Sequence, residues 1–206
     1  MSATDRQRHL LDAALKVFSR KGFNGATTKE IAVAAGVTEA VIFQHFPSKE
    51  ALYNAVLHLN LDAWETGEDA EAIRKCMERG DDEGILRVFI RSILNRYRMD
   101  TAFFRVILFA ALEGHEQGLN RFQERLAPVF KQFKEYIEKR QRDGKLADGD
   151  PLAIMMSIGG AAHHYGMVTS IMNAVGGDIM DAAVTEQFTR ILLEGIMKRP
   201  PARQDY

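Results

Sequence analysis

One cysteine, one tryptophan and five prolines are all that the 206 residues contain of these types. A single Cys76 excludes an internal disulfide, and no basic, apolar and small-residue leader opens the chain, so a reducing cytoplasm is the expected home. Nor is there a run approaching the roughly 20 uninterrupted apolar residues that span a bilayer. The longest candidates, Phe103 to Leu112 and Leu152 to Val175, are broken by Arg105 in one case and by His163, His164 and glycines in the other, and no membrane partner is expected. Charge of one sign is also lacking. The net charge is -1, with seven Lys and Arg against five Asp and Glu in residues 1–60 and a slight acidic excess beyond. Such a balance gives little sign of a nucleic-acid partner by itself. Catalytic signatures are missing too: there is no P-loop, dinucleotide fingerprint or GxSxG. His115-Glu116 begins like a zinc-protease motif, but Leu119 stands where the second histidine is required, and Cys76 has no histidine near it in sequence. Neither an enzyme nor a cofactor or metal site is expected.

Period-two alternation of apolar residues is almost absent, whereas i, i+3, i+4 spacing recurs throughout, which predicts an all-helical protein. Leu10, Leu11, Ala14, Leu15 and Phe18 form one face of a first helix, expected to stop at Gly22. Thr27 or Thr28 caps a second helix through about Ala35, with Glu30 placed for a capping box. Gly36 ends it, Thr38 caps a third helix to about His45, and Ser48 caps a fourth. The later helices are longer: about Lys49–Thr66 with a possible resumption to Arg79, then Asp82–Arg98, Thr101–Gly114, Leu119–Arg142, Pro151–Val175 and Asp181–Lys198. Thr101–Gly114 is apolar on nearly every side and is expected to be central and buried. Pro128 is expected to kink or split its helix. The tail 201–206 is expected to be disordered. The expected division is residues 1–48 and 49–200, with no internal repeat.

GVTEAVIFQHFPSKE, residues 36–50, has the form of a glycine turn, a short helix and a second helix start. On a helix over 38–46, Thr38, Ile42 and Phe46 lie on one side, and Glu39, Ala40, Phe43 and Gln44 on the other, with Val41 and His45 flanking. Val37, Ile42 and Phe46 can pack inward, which leaves small and planar groups outward. Helix, glycine turn and exposed second helix is the arrangement that enters a major groove. Thr27, Thr28 and Thr38 place hydroxyls and free N–H groups at helix N-termini, natural anion sites. Lys49 sits in a first helical turn, where a cation gains nothing from the helix dipole and a nearby phosphate would explain it. Gln44 can bridge adenine N6 and N7, and Ala40 and Val41 can touch thymine methyls. Glu39 is open to two readings, a favourable charge at a helix start or an acceptor for a cytosine amino group. Phe43 is likewise a groove contact or a buried aromatic.

ALKVFSRKGFNGATTKEIAVAAGVTEAVIFQHFPSKEAL resembles the N-terminal domain of TetR/AcrR-family transcriptional regulators. The resemblance covers about residues 8–57 and rests on Ala14, Phe18, Gly22, Thr27-Thr28, Ile31-Ala32, Ala35-Gly36-Val37, Phe43, His45-Phe46, Lys49 and Leu52. It implies an N-terminal three-helix helix-turn-helix DNA-binding domain joined to a larger helical ligand-binding and dimerisation domain. It also implies phosphate contacts from Thr28, His45 and Lys49, and groove contacts from Thr38, Glu39, Ala40, Val41 and Gln44. Phe43 departs from the usual tyrosine, whose hydroxyl binds a phosphate, and Ala40 replaces a common glycine. The implied function is a homodimeric repressor released from a near-palindromic operator by a small molecule. The alternative is an all-helical small-molecule-binding protein without sequence-specific DNA binding.

In the remainder, Gly159, Ala162, Gly166 and Ser170 make a stripe of small residues, and Val184, Phe188, Ile191 and Leu192 an apolar face on the last helix. Together they suggest a four-helix homodimer interface, or else packing within one chain. Trp64, Phe89, Ile93, Tyr97, Phe104, Leu108, Met156 and Met167 supply aromatic and sulfur-bearing surface for an apolar or amphipathic effector, with core packing as the alternative. The adjacent His163 and His164 point about 100° apart on a helix, so that one faces a ligand and the other a partner on one reading, while on the favoured reading of either alone it is a satisfied core histidine.

Overall fold

The computed structural model describes residues 3–65, 67–175 and 182–197, apart from the side chains of 3, 4 and 63–65. The expected tail at 201–206, the glycine pair 176–177 and the side chain of Trp64 lie outside the described residues. In chain order the helices are α1 (Ala3–Gly25), α2 (Thr28–Ala35), α3 (Glu39–His45), α4 (Lys49–Glu65), α5 (Glu68–Arg79), α6 (Asp82–Met99), α7 (Ala102–Leu112), α8 (Glu116–Arg142), α9 (Pro151–Gly166) and α10 (Ala182–Ile196). A π-helical turn, Met167–Ile171, continues α9. The described residues contain no strand, only an isolated antiparallel bridge between Leu146 and Met197. The all-helical expectation holds.

The contacts divide into two compact units, residues 1–67 with 100–126, and residues 68–99 with 127–206. The expected cut at 48/49 does not follow this grouping, because α4, α7 and the first part of α8 complete the first unit. Its core is built from Leu10, Ala14 and Phe18 of α1, Ile31 of α2, Ile42 of α3, Leu52, Val56 and Leu57 of α4, and Phe103 and Val106 of α7. Phe18 is fully buried and meets Tyr53 edge-on at 5.0 Å. Truncating a buried aromatic of this kind costs about 3–5 kcal/mol.

Local chemistry sets the short helices. Thr27 caps α2 by accepting from Glu30 N–H, and Glu30 accepts from Thr27 N–H in return. Gly36 ends α2 in the left-handed region at φ 66°, and Val37 N–H reaches back to Ala32 carbonyl at 3.0 Å. A side chain at Gly36 would pay for that φ, which is why glycine closes this turn. Ser48 Oγ accepts from Ala51 N–H and starts α4.

Three expectations meet the structure here. First, the helix breaks at Gly22 as expected, at the non-helical φ 70°, ψ −175°, and a further short helical stretch runs on to Gly25. Second, α7 is not buried all round: Leu112 is 84% exposed and Leu108 also faces outward. Its mate residues Phe103, Phe104, Val106 and Ala110 are buried, so the helix is two-sided although its sequence is nearly uniform. Third, Pro128 does not split α8, which runs as one helix from Glu116 to Arg142. The two units divide beside it, between Leu126 and Ala127.

In the second unit α6 is the central helix, burying Ile85, Leu86, Ile90, Ile93, Leu94 and Tyr97. The small residues of α9 face it. A side-chain carbon on Gly166 would lie 2.3 Å from the Tyr97 ring, and one on Gly159 would touch Phe89 at 3.8 Å. Ala162 is fully buried. The stripe Gly159, Ala162 and Gly166 therefore admits α6 of the same chain, which corrects its expected place in a dimer interface. Ser170 lies half-buried in the π-helical turn.

Candidate nucleic-acid interface

On α3 the inward residues are Ile42, fully buried, and Phe46 beyond its end, with Val37 half-buried. That anchoring turns Ala40, Phe43 and Gln44 outward, while Glu39, Val41 and His45 are half-exposed. Phe43 is 47% exposed, so the reading of it as a buried aromatic is excluded. Thr38 occupies the cap position of α3, but its hydroxyl makes no capping bond, contrary to the expected cap. The exposed face is thus short, almost free of long charged side chains and shaped by planar and small groups.

The phosphate-binding candidates are distributed differently from the expectation. Thr27 Oγ donates to Glu30 at 3.1 Å while accepting from its N–H. Glu30 in turn pairs with Lys21, which holds the Glu30 carboxyl below its ordinary range. Thr28 Oγ donates to Glu39 Oε1. Lys49 is not a free cation: its Nζ donates to Phe23 carbonyl at 2.8 Å and Ala26 carbonyl at 3.0 Å, and stands 4.3 Å above the Phe23 ring. Its position in the first turn of α4 is explained by carbonyls at the end of α1, where a cation is favourable. The side chains of Thr38, Gln44 and His45 make no hydrogen bond among the described residues. Lys29, exposed in the first turn of α2, makes no ion pair among the described residues.

Sequence reasoning missed the groups that hold this face. Glu113 at the end of α7 accepts from Phe23 N–H at 2.9 Å and Asn24 N–H at 3.3 Å, the donors released by the bend at Gly22. A side chain at Gly22 would collide with that carboxylate. His115 packs on Phe23 with ring centres 4.3 Å apart and bonds Glu50 at 3.3 Å. The α1–α2 turn is therefore gripped by an anion on its N–H groups and a cation on its carbonyls. His9 bonds the last carbonyl of α2, at Ala35, at 3.0 Å. A carboxylate 90 residues from the turn left no local signal; only the unusual glycine at position 22 marked the place.

The expected effector residues fall in several environments. Ile93, Tyr97 and Phe104 are buried. Phe89 meets Phe133 at 5.7 Å. Tyr97 Oη is 3.4 Å from His163 Nδ1, with the rings edge-on, and burial pushes the His163 imidazole below its ordinary pKa and raises Tyr97 to about 12. Met156 is 49% exposed, His164 is exposed, and Leu108 faces solvent, whereas Met167 is half-buried. A cleft of about 550 Å³ opens between α6 and α10, beside Glu83, Arg87, Glu186, Gln187, Arg190 and Glu194, and contains none of the expected effector residues. On α10, Phe188 packs edge-on against Tyr165, Val184 and Leu192 are half-buried, and Ile191 is 62% exposed.

No described helix is long and apolar enough to cross a membrane. Residues 10–56 match the family of bacterial regulatory proteins described as the tetR family. The chain is 29% identical over 199 residues to the HTH-type transcriptional regulator RutR of Escherichia coli K12, covering 94% of this chain and 92% of that one. It is 40% identical over 58 residues to the HTH-type transcriptional regulator AcrR of Shigella flexneri, covering 28% of this chain and 27% of that one. Among solved structures, the transcriptional regulator FadR from Bacillus subtilis, in complex with stearoyl-CoA, shares the fold at a TM-score of 0.70 with 18% identity, over 92% of this chain and 98% of that one. The matched helix-turn-helix, the two-sided α3 and the relative aligned over nearly the whole chain agree: residues 10–56 form a helix-turn-helix domain of the tetR-family type, and the proteins that the chain resembles are transcriptional regulators, not enzymes.

Proposed function

We propose that the protein is a homodimeric repressor that binds a near-palindromic operator and leaves it when an apolar or amphipathic small molecule binds. The observation that carries this reading is the outward face of α3. Ile42 and Phe46 fix the helix from within, so Ala40, Val41, Phe43 and Gln44 are presented together at the spacing a major groove accepts. Residues 1–48 read DNA in this proposal, and the remainder serves dimerisation and the effector. Thr38, His45 and Lys29 join the positive end of α2 in holding phosphates, while Thr27, Thr28 and Lys49 shape the head from inside. Two such heads would lie about 34–36 Å apart along the duplex.

The dimer surface proposed is the outer face of α9 and α10. Met156, Gly160 and His164 recur every four residues and are all exposed, as are Gln187, Ile191 and Glu194. An isologous four-helix contact would cover both rows. Met156→Arg or Ile191→Arg is expected to give a folded monomer by light scattering, and a persistent dimer in both would overturn this surface. An apolar or amphipathic effector is supported by the many aromatic and methionine side chains of α6, α7 and α9. The stearoyl-CoA named with the Bacillus subtilis regulator is one example of such chemistry. Its selection here would be read by mass spectrometry of what co-purifies.

Footprinting on DNA flanking the protein's own gene tests the central reading. A protected inverted repeat is expected, released by the co-purifying molecule; a folded dimer that protects nothing at low salt would overturn it. Activation is the second reading, favoured by one relative, the HTH-type transcriptional activator FasR of Mycolicibacterium smegmatis, 35% identical over 103 residues covering 50% of this chain and 45% of that one. A site upstream of the promoter, with transcription rising when it is filled, would decide for activation.

A further inference from the structure

We infer that Glu39, held by Thr28, makes the operator require cytosine at one position of each half-site. This rests on the proposed reading of DNA by α3 and assigns it a chemical preference. Glu39 opens α3, the end of a reading helix that approaches base edges. Thr28 opens α2, and its hydroxyl donates to Glu39 Oε1. The two helix starts are thereby tied by a side-chain bond, and the Thr28 proton is spent on a carboxylate instead of a phosphate. Glu39 Oε2 makes no bond among the described residues, and the side chain is half-exposed on the outward side of α3.

A carboxylate offers acceptors only, so nothing on a phosphate can pair with it, and the charges repel. In the major groove it can be satisfied only by an amino group. Cytosine presents N4–H₂ with no acceptor beside it, whereas adenine sets N7 next to N6, and guanine and thymine present acceptors. The fixed oxygen therefore accepts cytosine, tolerates adenine less well and rejects the other two bases. Thr28 is a positioning residue: one bond to Oε1 limits the carboxylate's rotation and aims Oε2. The same arrangement explains how a negative residue persists at the start of a reading helix. It lowers attraction to every sequence and restores it only where cytosine is present.

Selection of binding sites from a randomised operator library tests this, with wild type, E39A, E39Q, T28V and T28S compared. Wild type is expected to enrich cytosine at one symmetry-related position by about tenfold or more, the range of one base contact. E39A is expected to flatten that position alone and to raise affinity for unselected DNA. E39Q is expected to move the preference towards adenine, since an amide can bridge N6 and N7. T28V is expected to blunt the same position, and T28S, which keeps the hydroxyl, to restore it. Retention of the preference in E39A, or an equal loss on all sequences in E39A and E39Q, overturns the role of Glu39 while the DNA-binding reading stands. A wild-type protein that selects no sequence overturns both.

Discussion

At the residue scale, the two lysines nearest the reading helix exchange the roles their positions suggest. Lys49 spends its protons on two carbonyls and its charge on an aromatic face, so its loss removes structure. Lys49→Ala is expected to lower unfolding stability by about 2 kcal/mol, the range for hydrogen bonds made by charged groups, measured by chemical denaturation. Lys29 is exposed and unpaired among the described residues. Lys29→Ala is expected to leave the denaturation midpoint unchanged, to weaken binding to all sequences alike, and to reduce the slope of log affinity against log salt by about 0.9. The reverse pattern would restore Lys49 as the phosphate contact.

His163 gives a pH dependence whose sign is fixed by burial. Its pKa is pushed below the ordinary 6.5, because desolvation penalises the imidazolium beside Tyr97. The unfolded chain therefore takes up the proton first. This contribution to stability is intact above pH 6.5 and is lost as pH falls through the lowered folded value. His163→Gln is expected to lose less melting temperature than wild type between about pH 7.5 and 5.5. Parallel losses in the two proteins would exclude His163 as the source.

At the element scale, two glycines in helices are required for different reasons. Gly22 adopts φ 70° and lies against Glu113, so an added methyl meets both a strained backbone and a carboxylate. Gly22→Ala is expected to cost about 1–3 kcal/mol of stability and to speed hydrogen exchange at Phe23 and Asn24. Gly166 lies against the Tyr97 ring, and Gly166→Ala is expected to cost about 1–3 kcal/mol by overpacking within the chain. Gly160 has nothing near its missing side chain, so Gly160→Ala is expected to leave the subunit's packing unaffected. Denaturation curves for the three variants separate these cases.

These positions also show where sequence was sufficient. The helix starts at Thr27 and Ser48, the stop at Gly36 and the inward turn of Ile42 and Phe46 were legible, because each depends on neighbours within four residues. The small stripe on α9 was legible as a close approach, but its partner was not. Tyr97 is 69 residues away from Gly166, and a glycine admits a helix of its own chain or of another equally well. The engagement of Thr28 by Glu39 and of Lys49 by the end of α1 was hidden for the same reason. Charge and hydroxyl positions suggest phosphate until the internal acceptor is placed beside them. Leu108 and Leu112 were assigned to the interior because hydrophobicity alone does not say which sides of a helix meet others.

At the scale of the whole molecule, the proposed dimer sets a spacing that DNA must match. Two heads on one face of the duplex tolerate half-sites in a single rotational phase. Insertion of five base pairs at the operator centre turns one half-site by about half a helical turn. Tight binding is then expected to fall to the level of a single half-site, read by gel shift with the wild-type site as reference. Unchanged affinity would mean that each head binds independently.

The first compact unit is assembled from two separate stretches of chain, residues 1–67 and 100–126. Phe103 and Val106 of the later stretch enter the core that α1 shares with α2, α3 and α4, and Glu113 grips the turn between α1 and α2. The consequence belongs to synthesis and to recombination. On the ribosome, the N-terminal helices emerge long before the segment that closes their core, so a nascent regulator has no completed reading head until residue 126 has been made. A cassette of residues 1–67 moved into another protein would carry the reading residues without α7, whose Phe103 and Val106 complete their core.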